Sequence, residues 1–413
     1  MRELKCLHIC AQLFAMWCLI VTTNVDNAMA EESSYDSSIQ RSNFMAIEPR
    51  YKKSLEKQLE DRRSQFLWRM RFDSESLQTD KNAQSQSVGA KARAQFQYKL
   101  LENLKFKSKV NLSLESGRSQ DIFGDLEPSS GIYPQELKLS LDAVEDHITL
   151  EAGQIHQRWL NEPLFIGGLG FPGAAQKFQI KKKSWDLGLI TQQLIPTSST
   201  LSTRVAEREG TPSLFTESIQ AGVRPSSNNF ILGRVTMYKY NDLPSVVAYW
   251  SRIYGNTPSN FGNDINNSTF RYDFSGWMGQ MAYEQKFSNS FSMQFQYMAM
   301  KNTAAPDDSG ESQAITVTAA NDFGRWIIGG RYKNYFIESD AVPAYYNSHR
   351  LGHNNRTGNE YEIMFESKDW GVNFSATYVK ADLLRDQGQT ASELQQDNQQ
   401  TFYIQVETMY DFI

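Results

Sequence analysis

Cysteine is missing from almost the whole chain. Cys6, Cys10 and Cys18 are the only three among 413 residues, and all lie in a segment built like a secretory signal. Arg2 and Lys5 form its basic end, Leu13–Val21 its apolar middle, and Ala28-Met29-Ala30 a small-residue cleavage site. After cleavage near Ala30 no thiol would remain, which excludes a disulfide framework, a cysteine zinc site and a thiol nucleophile. Long apolar runs are also missing. Leu13–Val21 is too short to span a bilayer as a helix, and no later stretch approaches the roughly 20 apolar residues that such a helix needs. A third absence is an excess of positive charge: the net charge is −5, and removing Arg2, Glu3, Lys5 and Asp26 leaves it unchanged. That balance argues against a nucleic-acid partner.

Chemical motifs are equally sparse. There is no GxSxG elbow, Walker A loop or HExxH pair. His349 and His353 are four apart, but the run between them reads as a polar loop rather than a metal-binding helix face. His147 and His156 flank one strand, with nothing in the local spacing that builds a hydrolase around them. No enzyme activity, cofactor or metal is expected.

What is present is alternation. The final stretch, Gln400–Ile413, places Phe402, Ile404, Val406, Thr408, Tyr410 and Phe412 at intervals of two, with Tyr403, Gln405, Glu407, Met409 and Asp411 between them. A period of two puts one set on each face of a strand. Phe66, Trp68, Met70 and Phe72 alternate with Arg69, Arg71 and Asp73 in the same way. In the clearest hairpin, Val88, Ala90, Ala92, Ala94, Phe96 and Tyr98 oppose Lys91, Arg93, Gln95, Gln97 and Lys99. Its return strand sets Leu104, Phe106, Val110, Leu112 and Leu114 against Lys105, Lys107, Lys109 and Asn111. The mean hydropathy of −0.53 excludes a helical membrane protein. It does not exclude a membrane barrel, in which only alternate residues meet lipid.

The same rule predicts strands near 65–74, 88–100, 104–114, 135–142, 147–157, 174–182, 184–195, 213–224, 229–240, 268–286, 291–302, 312–320, 325–337, 359–367, 370–381 and 399–413. The expected fold is therefore all-β, a transmembrane antiparallel barrel of about 16 strands over residues 64–413. Connections alternate between short turns and long loops, the long ones being 75–87, 116–134, 158–173, 196–212, 241–267, 303–311, 338–358 and 382–398. All twelve prolines fall outside these strands, as ladder hydrogen bonding favours. Tyr98, Phe106, Trp185, Phe287, Phe291, Phe323, Trp326 and Trp370 collect at the short-turn ends, where rings would form an interfacial girdle. Ahead of the barrel, 31–63 is a polar periplasmic segment with a short charged helix at Pro49–Arg63.

This architecture resembles that of the Gram-negative outer-membrane porins of sixteen-stranded type, over roughly residues 64–413. Ile148–Gln157 (ITLEAGQIHQ) resembles the porin strand whose glycine-containing end leads into an inward-folding third loop. Gln154 stands where that family often has arginine or asparagine, and Phe412 is penultimate where the family commonly ends on phenylalanine. The resemblance implies a water-filled channel in the outer membrane, assembled as a homotrimer in lipid and passing small hydrophilic solutes and ions. It implies a constriction loop containing Arg158, Trp159, Asn161, Glu162, Phe165, Gly167 and Gly168. The face assignments put Arg69, Arg71, Lys91, Arg93, Lys107 and Lys109 on one lumen wall, with Lys105 and Lys138. Glu151 and Glu162 are the nearby acidic groups, and Glu360, Glu362, Glu366, Glu407 and Asp411 are assigned to a far wall. Charge rings of this kind are how a pore selects solutes.

Two alternatives stay open. A continuous basic ladder would suit a channel specialised for an anionic solute or an exported polysaccharide. A structural or adhesive barrel would use the 241–267 loop, with Pro244, Trp250, Tyr254, Pro258 and Phe261, as its contact surface.

Overall fold

The computed structural model describes residues 63–411 apart from 81–83, 122–123, 127–130, 145–146, 158–161, 168–169, 197–208, 260–264, 266 and 386–395. The expected signal segment and the polar segment up to residue 62 therefore lie outside the described residues.

Alternation becomes a closed wall. Sixteen antiparallel strands pair in chain order: β1 (Ser64–Thr79), β2 (Gln84–Lys99), β3 (Leu104–Asp121), β4 (Gly131–Val144), β5 (Ile148–His156), β6 (Gly170–Lys181), β7 (Trp185–Leu194) and β8 (Ser213–Ser226), then β9 (Asn229–Asn241), β10 (Ser275–Lys286), β11 (Phe291–Asn302), β12 (Glu311–Asp322), β13 (Trp326–Ile337), β14 (Arg356–Ser367), β15 (Val372–Leu383) and β16 (Gln399–Asp411). The last strand closes on the first, in register from Leu67 opposite Asp411 to Thr79 opposite Gln399. Closure leaves no open strand edge, the condition for strands to sit in hydrocarbon. No described helix is long and apolar enough to cross a membrane. A three-residue strand, Gly124–Leu126, pairs only with the end of β3.

The faces separate as period two requires. Leu114, Ile219, Met237 and Ile363 are 55%, 59%, 62% and 64% exposed on the outer wall. The residues beside them in sequence, such as Ser218, Gln220 and Thr236, are buried inside. A polar interior under an exposed apolar exterior inverts the soluble pattern and is that of a membrane barrel. At the short-turn end, Phe287, Phe323 and Trp370 are 62%, 60% and 74% exposed. Trp326 there stacks on Phe365 at 4.8 Å and meets Trp370 edge-on at 5.8 Å.

Several expectations need correction. The 75–87 connection is not a long loop, because β1 runs to Thr79 and β2 starts at Gln84. Ser, Gln and Thr there continue the ladder, and neither face carries the apolar alternation that marks a strand. The tenth strand begins at Ser275 rather than 268, since Phe270 and Phe274 turn into the interior and Phe270 bridges to Pro258. Three prolines do lie in strands: Pro134 in β4, Pro172 in β6 and Pro225 in β8. Pro134 sits at a register shift against β3, where a bulge removes the need for its amide. The 241–267 segment contains the single α-helix among the described residues, α1 (Ser245–Ile253), which buries Val247, Ala248 and Ile253. Gly153, in the porin-like run, has φ +125°, and a Cβ there would lie 2.3 Å from the Leu137 carbonyl oxygen. Only glycine fits.

Ile363 tests the outer face. Ile363→Arg should lower stability by about 2–4 kcal/mol, the cost of a cation facing lipid at mid-wall. Ile363→Leu should cost under about 1.5 kcal/mol. Urea unfolding from lipid vesicles measures both, and equal stabilities would refute the assigned face.

Candidate functional site

The lumen of this barrel is filled from one side. Leu164, Phe165 and Ile166 of the third loop are at most 1% exposed. Phe165 packs on Tyr238 and Tyr240 of β9, with ring centroids at 4.9 and 6.3 Å. The 338–355 loop joins them, its Tyr346 lying parallel to Tyr240 at 6.0 Å and edge-on to Phe171 at 5.4 Å. Together with Phe274, Met278, Met298, Met300 and Tyr335 these rings form an apolar core inside the barrel.

Backbone groups in this infill are satisfied by carboxamides, as buried amides and carbonyls require. Asn256 donates to the carbonyls of Ser339 and Val342 at 2.6 and 2.9 Å and accepts from the Ala344 amide at 2.7 Å. Asn354 donates to the same two carbonyls, at 2.8 and 2.7 Å. The Gly167 amide donates to the Tyr346 carbonyl and the Ser348 amide to the Pro163 carbonyl, so the two loops are stitched together. Asp340 accepts from the Thr257 amide and hydroxyl and from Ser339. Burial holds its carboxyl above its ordinary range against the pull of these hydrogen bonds. His353, one of the two spaced histidines, stacks on Tyr254 at 4.0 Å and places Nδ1 3.0 Å from the Ala344 carbonyl. No group of side chains able to hold a metal occurs among the described residues.

The opposite wall, β1 to β4, is basic. Arg69 lies directly across from Arg93, Arg71 from Lys91, and Lys107 from Lys138. Like charges in direct cross-strand register oppose strand pairing, so this wall carries an electrostatic cost that its strands do not need. Acidic groups offset part of it. Glu407 binds Arg69 at 2.8 Å, Asp73 and Glu115 bind Lys91 at 3.0 and 2.8 Å, and Glu151 binds Lys138 and Lys177 at 3.0 and 2.8 Å. Arg93 donates from Nε to Asn111 at 2.8 Å. Lys109 is buried, in register with Glu136, and Lys105, at the turn end, pairs with Asp142 at 2.9 Å.

Two acidic placements differ from the sequence reading. Glu162 does not face the basic cluster: it pairs with Lys333 of β13 at 2.8 Å. Glu407 and Asp411 are not on a far wall, because β16 is the neighbour of β1. A linear reading of strand number hides this, since a closed barrel puts first and last together. Glu360 and Glu362 do lie on β14, away from β1, but Arg331 holds both, at 2.5 and 2.7 Å. Of the constriction-loop residues, Glu162, Phe165 and Gly167 lie inside the barrel. Arg158, Trp159, Asn161 and Gly168 lie outside the described residues.

Sequence reasoning missed Arg234, Arg331, Lys333 and Arg350. Arg234 is fully inside, donating twice to Gln220 at 2.8 and 3.1 Å. Arg331 and Lys333 alternate with outward Tyr332, and Arg234 with outward Val235, so the same period-two rule finds these three. Arg350 rides on a loop and has no such signal.

No protein-family model matches the chain, nor does any curated protein. Solved structures do. OprB of Pseudomonas putida is 12% identical with a TM-score of 0.54, over 87% of this chain and 97% of that one. OmpT of Vibrio cholerae, described as an outer membrane protein in trimer form, is 10% identical with a TM-score of 0.48, over 84% and 100%. A triple mutant of the Rhodopseudomonas blastica porin is 8% identical with a TM-score of 0.42, again over 84% and 100%. The OprB likeness shows the fold, a closed antiparallel β-barrel.

Lys333→Met should free the third loop, because the carboxylate of Glu162 would then sit unpaired at low exposure. Breaking a buried pair from one side costs about 3–5 kcal/mol, whereas removing both charges can be neutral. The single variant should therefore raise hydrogen exchange at the Phe165 and Gly167 amides, and Glu162→Gln with Lys333→Met should restore most of the protection. Unchanged exchange in the single variant would show that the pair does not anchor the loop.

Proposed function

We propose that the chain is an outer-membrane porin, a passive channel whose solutes and ions run along the basic β1–β4 wall. One observation carries this reading. Cation faces cation in register at Arg69/Arg93, Arg71/Lys91 and Lys107/Lys138 on the inner face of the barrel. Arg69, Arg71 and Lys91 keep 19%, 30% and 33% of their side-chain surface exposed, whereas Lys109 and Lys138 of the same wall are buried, as are Arg234 and Lys333 across the barrel. A charge arrangement that opposes folding and keeps Arg69, Arg71 and Lys91 partly exposed supports a site for moving anions. The pore-lining set is Arg69, Arg71, Lys91, Arg93, Lys107 and Lys109, with Glu151 as counter-charge. Glu162 acts by fixing the third loop.

The same ladder favours a second reading within the channel class, a preference for anionic solutes over neutral ones. Lipid on the outer wall, a homotrimer and export after cleavage near Ala30 complete the proposal. The trimer rests on the resemblance of the sequence to porins.

Planar-bilayer recording of the refolded chain tests this. Stepwise ohmic conductance is expected, in multiples of three for a trimer. Under a KCl gradient the reversal potential should have the anion-selective sign. Arg69→Gln with Arg71→Gln should cut the chloride-to-potassium permeability ratio about two- to fivefold, the weight of a partly screened charge pair. A folded barrel that passes no current would overturn the channel.

A further inference from the structure

Arg350 belongs to neither the basic wall nor the third loop, yet it reaches the same place as Arg71. It sits on the one-turn 3-10 helix His349–Leu351 of the 338–355 loop, whose Leu351 is buried and has its carbonyl held by the Tyr335 hydroxyl at 2.7 Å. Its guanidinium lies over the ring of Tyr403, with Cζ 4.1 Å from the centroid. Between the two arginines lies Gln405 of β16. In the amide orientation that satisfies both, its oxygen accepts from Arg71 Nη2 at 2.9 Å and from Arg350 Nη2 at 2.6 Å.

We propose that Arg350 and Arg71 form an oxyanion subsite for carboxylate-bearing small solutes, with Gln405 occupying it in the resting channel. The inference rests on the channel reading above and deepens it. Two guanidinium groups from different parts of the chain converge on one planar sp2 oxygen, and a carboxylate presents the same planar oxygen with a full charge. Guanidinium forks recognise that geometry by paired hydrogen bonds.

Of the neighbouring carboxylates, Glu75 accepts from the Tyr403 hydroxyl at 3.4 Å, Asp73 is shared between Lys91 and Arg71, and the others are engaged elsewhere. Asp73 holds Lys91 at 3.0 Å, Glu407 holds Arg69 at 2.8 Å and Glu360 holds Arg331 at 2.5 Å. Asp73 also lies 3.4 Å from Arg71 Nη2, too long for a strong pair. Arg71 Nε is buried and makes no hydrogen bond among the described residues, so one donor of this fork has capacity left. Arg350 is fixed in advance by the ring beneath it and by the anchored loop on which it rides. Little ordering is therefore required when a solute arrives.

The experiment is a set of bi-ionic reversal potentials on the full refolded chain, comparing acetate and phosphate each against chloride. Acetate should permeate in preference to phosphate in the wild type. Arg350→Ala should lower the acetate-to-chloride ratio about two- to fivefold, the range for a partly exposed ion pair. Arg350→Lys, which keeps the charge and loses the fork, should lower it similarly, and Gln405→Glu should do so by placing a permanent carboxylate in the subsite. Heat-modifiable migration on gels verifies that each variant is a folded barrel. An Arg350→Lys ratio equal to wild type would reduce Arg350 to a field effect and overturn the subsite. A wild-type preference for phosphate would overturn the carboxylate assignment. Conductance in KCl with either outcome leaves the porin reading standing, whereas a folded wild type without conductance overturns both.

Discussion

Everything in this structure depends on one requirement: no backbone amide or carbonyl can be left unpaired in hydrocarbon. Strands meet it only by closing, and the thirteen-position register between β1 and β16 is where closure is achieved. Closure fixes the number of strands, and the number of strands fixes the bore. Sixteen strands enclose far more space than their own inward side chains can fill. The protein must therefore either keep a wide channel or supply the infill from its loops.

It does the second against β9 and its neighbours. Tyr238, Tyr240, Phe165 and Tyr346 make an apolar core inside the barrel, and Asn256 and Asn354 clamp the loop backbones that carry it. That core obeys the rules of a soluble interior, with rings in tilted and edge contact and carbonyls paired to carboxamides. The outer wall a few ångströms away obeys the opposite rules. The two are separated by single strands, whose alternate residues answer to each. The basic wall is what remains when the loops have taken their share of the lumen. Its like-charged pairs are tolerable because Glu407, Asp73, Glu115 and Glu151 sit among them.

Strand number, strand faces and the lumen position of Arg69, Arg71, Lys91, Arg93 and Lys107 could all be read from the sequence, because each follows from a local period of two. The infill was not legible. Its contacts join residues that no local pattern relates: Lys333 and Glu162 are 171 positions apart, and the Tyr238 hydroxyl meets the Ala341 carbonyl 103 positions away. The resemblance to porins implies that the third loop folds inward, but it does not say which wall the loop reaches. Strand ends were misjudged where polar residues continue a ladder beyond the lipid, as at Ser76 and Gln86, because a strand without an apolar face leaves no periodic trace.

The division of labour between the two inward loops follows from their charges. Glu162 would give the third loop an acidic face, yet Lys333 neutralises it at 2.8 Å. Arg331 likewise neutralises Glu360 and Glu362 on the wall beyond. The field across the lumen is therefore not a contest between a basic wall and an acidic loop. The 338–355 loop instead adds a further cation to that wall, bringing Arg350 up against Gln405 and Arg71. A dipolar solute crossing a transverse field would be turned by it. An anion reaching the Arg71–Arg350 pair would be held there, and the Gln405 oxygen between them weakens the repulsion of the two guanidinium groups when no solute is present.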